Sequence, residues 1–222
     1  MDLIKTVVRL EFSEPTRPWL EMREILRVAG GNPTVELQAS PMVLDQPEKR
    51  QRLVLAVRTL VLEQELPASA DQSLDQALEM IRRLNDASNL PSVKQIRHDS
   101  VFIEPYPLPL HELVVFLKER FLRSNPTVES ATDIGLTFDQ HEDEVVKRMQ
   151  IGPMDAEQLR QEVLRWPEEG IPDTFLFLGL AYESNREAPY TLEALREFME
   201  NAITWQASQV EAILSSLRGE GK

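Results

Sequence analysis

The sequence contains no cysteine. Disulfide frameworks, thiolate zinc sites and cysteine nucleophiles are therefore excluded together. Histidine is scarce as well: His98, His111 and His141 are the only three, so a multi-histidine zinc site would have to recruit all of them from separate segments. The eight glycines form neither a Gly-x-Ser-x-Gly elbow nor a phosphate-cradling loop with its lysine, which sets aside the common hydrolase and nucleotide-binding signatures. Long apolar runs are missing, and nothing approaches the roughly 18 consecutive apolar residues of a membrane span. The opening residues Met1 to Lys5 turn polar too soon for a secretory apolar core, and the expectation is a cytoplasmic protein.

Positive charge is in deficit. Against 37 Asp and Glu stand 24 Lys and Arg, which gives a net charge of −13 and a pI near 4.8. Neutralising phosphates requires clustered Lys and Arg, so nucleic acid and anionic membrane surfaces are disfavoured as partners and basic partners are favoured.

What is present is a chain of 222 residues, 42% of them hydrophobic, long enough to bury a core without staples. Alternation predicts a strand over residues 3–12, where Ile4, Val8, Leu10 and Phe12 share a parity. A helix follows over 18–29, with Pro18 at its start and Gly30-Gly31-Asn32-Pro33 as its stop. Strands over 34–44 and 53–66 flank the polar turn 45–50. Ser73 and Gln76 read as a capping box opening a helix over 73–84. The second part of the chain repeats the order: a strand over 93–104, a proline cluster, a helix over 110–121, strands over 128–138 and 144–151 about a polar turn, and a helix capped by Asp155 and Gln158. The run 174–180 is apolar on both faces and reads as a central strand. A helix over 191–217 comes last.

Residue identities suggest that the repetition is a duplication. Asn32-Pro33-Thr34-Val35-Glu36 recurs as Asn125-Pro126-Thr127-Val128-Glu129, and Asp45-Gln46-Pro47-Glu48 resembles Asp139-Gln140-His141-Glu142 in the polar turns. The expected architecture is α+β, a two-layer sandwich on a mostly antiparallel sheet, in which a βαββα unit occurs twice. Residues 1–90 form the first half and 91–168 the second. Residues 169–222 add a strand and a long helix that complete one compact domain, with a seam on a pseudo-twofold axis.

Candidate chemistry is sparse. The acidic turn 139–144 around His141 reads as a solvated hairpin tip, because alternation sends neighbouring side chains to opposite faces and away from a common ion; no metal and no cofactor are expected. Asp155 after Ile151-Gly152-Pro153-Met154 reads as an ordinary helix cap. The stiff connection through Pro105, Pro107 and Pro109 offers the least routine constellation, with His98, Asp99, Tyr106 and His111 as candidate ligand-binding residues and no assigned catalytic residue. The wide apolar arc of the last helix, which includes Leu195, Met199, Ala202, Ile213 and Trp205, suits packing across the sheet or a homodimer contact. The expected function is a non-catalytic interaction or small-ligand-binding protein acting through the pseudo-twofold cleft or the C-terminal helix. The alternative is a hydrolase-type enzyme with a site near His98, Asp99, Tyr106 and His111.

Overall fold

The computed structural model describes residues 1–16, 34–36, 41–107, 109–122, 126–184 and 191–218. The helix expected over 18–29 lies outside them. Nine strands form a single sheet: β1 (Asp2–Phe12), β2 (Thr34–Glu36), β3 (Met42–Gln46), β4 (Gln51–Leu55), β5 (Thr59–Glu65), β6 (Val93–Pro105), β7 (Leu136–Glu142), β8 (Val145–Asp155) and β9 (Thr174–Ser184). Their order is β2-β3-β4-β5-β1-β6-β9-β8-β7, and every neighbouring pair is antiparallel. The described helices are α1 (Ala70–Ser88), α2 (Leu110–Phe121), α3 (Pro126–Ser130), α4 (Ala156–Glu162) and α5 (Leu192–Arg218). An antiparallel sheet with appended helices is the α+β class the pattern predicts.

Several boundaries move. The strand expected over 53–66 is a hairpin of β4 and β5, closed where Ala56 N–H donates to Thr59 O at 2.7 Å; its turn, Ala56-Val57-Arg58, contains neither Gly nor Pro and leaves no compositional mark. Helix α1 begins a turn earlier than expected, with Ser69 accepting from the Gln72 amide. Ser73 instead faces the sheet and shares a short hydrogen bond with the Thr6 hydroxyl. At α4 the expectation holds in full: Asp155 and Gln158 form a reciprocal capping box. The repeated pentapeptide adopts unlike structures, since Thr34–Glu36 is strand β2 whereas Pro126–Ser130 is helix α3.

Period-two burial divides the sheet into two faces. On β1 the side chains of Thr6, Val8, Leu10 and Phe12 are buried, and on β9 those of Leu176, Leu178 and Leu180. They point toward α1, α2 and α5. One core joins Leu10, Phe12 and Leu60 to Leu78, Ile81 and Leu84 of α1 and to Leu195, Phe198 and Met199 of α5. A second joins Leu176, Leu178 and Leu180 to Leu113 and Leu117 of α2 and to Ile213, again from α5. Phe198 and Trp205 hold the Tyr182 ring of β9 between them, with centroids 5.1 and 5.9 Å away. The apolar arc of α5 is therefore consumed by both ends of its own sheet.

The opposite face is covered at one end. A register shift between Leu3 and Lys5 accompanies the inclusion of Ile4 in a third cluster with Ile103, Phe175, Leu159 of α4 and Leu164. Glu65, fully buried at the end of β5, fastens the segment after α4: its carboxylate accepts the Arg165 amide at 2.7 Å and the Trp166 amide at 3.3 Å. Burial raises its pKa, partly opposed by the Trp166 amide and by the nearby Lys5 and Arg50 charges.

Candidate functional site

The four candidate residues occupy four different environments. His98 lies on the helix-covered face of β6, opposite Val8 on one side and Tyr182 on the other, and is buried. Neither ring nitrogen has a partner in hydrogen-bonding geometry. Desolvation lowers its pKa from 6.5 to about 4, with the neighbouring Gln206 amide working weakly in the other direction, so the imidazole is neutral at pH 7. Gln206 projects from α5 into the same layer. It accepts the Ser100 hydroxyl at 2.8 Å and donates to the backbone oxygens of His98 at 3.3 Å and Leu180 at 3.2 Å. This cluster stitches helix to sheet without an opening for a substrate.

Asp99 follows His98 on the strand and faces the other way. It accepts two bonds from Arg97 Nε, at 2.8 and 3.0 Å; burial raises its pKa while Arg97, and more weakly Arg9, oppose the rise. Tyr106 rests on Phe116 of α2 with ring centroids 5.6 Å apart, and its phenol is raised by burial. His111, in the first turn of α2, is 78% exposed and 3.9 Å from the Glu112 carboxylate. No nucleophile, base and orienting group converge here, so the hydrolase geometry is missing at these positions. Around His141, likewise, no group of three potential metal ligands occurs among the described residues.

What the structure assembles instead is a polar surface along the β1–β6 seam, on the face that α1, α2 and α5 leave uncovered. Arg9 stands directly opposite Arg97 in the β1–β6 register. Arg97 reaches Glu183 of β9 at 3.5 Å, and Gln95 donates to the same carboxylate at 2.6 Å. The Arg9 side chain is exposed; it acts weakly on the Asp99 carboxyl and forms no salt bridge among the described residues. With Glu11 and Thr59 these groups line an open depression of about 300 Å³. The sequence signal was present but unspecific: charged residues at odd positions of β1 and β6 share a face with one another once the register is known, and register is a tertiary property.

Further out on this face the two flanks carry matching ion pairs. Asp45 faces Arg52 across β3 and β4 at 3.6 Å, and Asp139 faces Arg148 across β7 and β8 at 2.7 Å. On the covered face, a groove of about 40 Å³ opens beside α1. Its rim amides bond to one another, Gln51 donating to Gln64 at 2.5 Å and to Gln76 at 2.6 Å, which leaves little unmet polarity for a ligand.

No helix among the described residues is long and apolar enough to cross a membrane. No protein-family model matches the chain, and no curated protein matches it.

Proposed function

We propose that this chain is a non-catalytic binding module made of two related units, and that it meets its ligand on the uncovered sheet face along the β1–β6 seam. The observation that carries the reading is the cross-strand pair Arg9 and Arg97 in an open depression, with the exposed Arg9 side chain in no salt bridge among the described residues. An exposed guanidinium held in no salt bridge among the described residues is a ready donor for an anionic group, and Arg offers it a planar fork of N–H donors. A ligand bearing a carboxylate suits the site. The surrounding Glu11 and Glu183 would select against ligands of higher negative charge.

Duplication is part of the proposal. Read outward from the central β1–β6 pair, β5, β4 and β3 on one side correspond to β9, β8 and β7 on the other. The β3–β4 and β7–β8 hairpins each turn through a residue of positive φ, Arg50 at 50° and Asp143 at 48°, and each carries a cross-strand Asp–Arg pair. In this alignment β9 and α5 answer to β5 and α1, so the second unit runs from β6 through α5 and absorbs the strand and helix first assigned to a separate segment. The pentapeptide lends no support, being strand in one place and helix in the other. Homodimerisation through α5 loses its motive: the exposed large apolar side chains among the described residues are Val57, Val115 and Phe138, none of them on that helix. A cytoplasmic location remains attached to the reading.

The test is a melting-temperature survey with a panel of small mono- and dicarboxylates at fixed pH and ionic strength. Stabilisation by a panel member in the wild type, lost in Arg9→Glu, is the expected result; no shift across the panel, or one retained in Arg9→Glu, overturns the seam. Hydrolysis of p-nitrophenyl acetate that disappears in His98→Gln would reinstate the hydrolase alternative.

A further inference from the structure

The geometry points to a second contact surface: we propose that the outer edge of β7 docks an extended, basic segment of a partner protein, which adds one strand to the sheet. This surface is separate from the seam and does not depend on it, since the seam is argued to take an anionic group and the edge a cationic strand.

Strand β7 has seven residues, and all but Leu136 are exposed. It pairs with β8 alone and closes one side of the sheet. No backbone hydrogen bond from its outer side to the described residues occurs, so alternate N–H and C=O groups along it face outward, the arrangement that strand addition uses. On the opposite edge, β2 has three described residues. Along β7 the two faces differ. Phe138 lies opposite Met149 on the helix-covered side and is 47% exposed, an apolar surface that a neighbouring strand would cover. Asp139 lies on the other side, at the end of a row in which Arg148 is its inner neighbour. A Lys or Arg of an incoming strand would sit at its vacant outer side.

Charge chooses the occupant. Asp139, Glu142, Asp143 and Glu144 outnumber Lys147 and Arg148 at this end of the hairpin, where Lys147 pairs with Glu142 and Arg148 with Asp139. Antiparallel pairing of two β7 edges centred on Asp139 would set the two Asp139 carboxylates directly opposite each other, and like charges so placed destabilise a sheet. A second copy is therefore disfavoured where a basic strand is favoured. The fitting sequence alternates apolar and basic residues, matching the Phe138 side and the Asp139 side of the edge in turn.

The experiment uses the full chain and a fluorescein-labelled peptide of alternating lysine and valine, with an alternating glutamate–valine peptide and a lysine peptide interrupted by proline as controls. Expected are binding of the lysine–valine peptide alone, weakening as salt rises, and slowed amide exchange within residues 136–142. Phe138→Lys should weaken binding about tenfold or more while leaving the melting temperature near the wild-type value, because the side chain is exposed. Asp139→Asn should lower the salt dependence, since Asp139 is the carboxylate on the side that the basic residues of the incoming strand face. The proposal is overturned by no binding, by binding of the proline-interrupted peptide equally well, by protection elsewhere, or by a self-association that Phe138→Lys abolishes.

Discussion

At the scale of single residues the most consequential side chain is one that does no chemistry. His98 is held neutral under α5 with both ring nitrogens unsatisfied, and its pKa is lowered to about 4. The folded state therefore refuses a proton that the unfolded chain accepts below about pH 6.5. Because the unfolded state binds more protons in that interval, stability rises with pH; the proton-linked penalty of His98 is absent above 6.5 and grows as pH falls toward 4, reaching about 3 kcal/mol. His98→Leu should remove that slope. Urea unfolding of the two proteins is expected to give a widening difference in favour of the variant between pH 6.5 and 4. Parallel curves would mean that the imidazole is protonated or hydrated in the folded protein.

At the scale of elements, attachment of α4 to the remaining sheet depends on a buried carboxylate. Glu65→Ala deprives the Arg165 and Trp166 amides of their acceptor and should cost about 2 kcal/mol, the penalty of buried donors left without a partner. Amide exchange at 165 and 166 should accelerate more than in α1. Equal acceleration throughout would show a general loss of stability instead.

The elements themselves were legible to differing degrees, for physical reasons. Capping at Asp155 is local chemistry written in four consecutive residues, and it was read correctly. So were β1 and β6, whose alternation is a direct image of a sheet with one buried face. The β4–β5 hairpin was invisible because its turn is closed by backbone bonds between Ala56 and Thr59, with Val57 and Arg58 outside the positive-φ region that calls for Gly or Asn. Ser73 was misread as a cap because its hydroxyl is engaged by Thr6, 67 positions away. The site was least legible. His98 and Asp99 look like partners on paper, yet strand geometry sends them to opposite faces, while Arg9 and Arg97 meet only through a register that no local pattern encodes.

At the scale of the whole molecule, α5 spans both helix-side cores: Leu195, Phe198 and Met199 complete the first and Ile213 joins the second. The two proposed units should therefore not unfold separately. A single cooperative transition is expected, with far-ultraviolet circular dichroism and tryptophan fluorescence giving coincident urea curves. A fragment ending at residue 90 should lack fixed tertiary structure, since it carries the apolar faces of β1 and α1 without the helix that seals them. Two separated transitions, or a fragment with dispersed amide resonances, would show that the units are autonomous.

Chain order gives this closure a temporal meaning. During synthesis, β1 through α1 emerge long before α5, so Leu10, Phe12 and Ile81 await a cover that is still being translated. Productive maturation of the nascent polypeptide is thus a late event, and a ribosome stalled before codon 192 would display a sticky, half-clad sheet to the chaperones and proteases that patrol the exit tunnel.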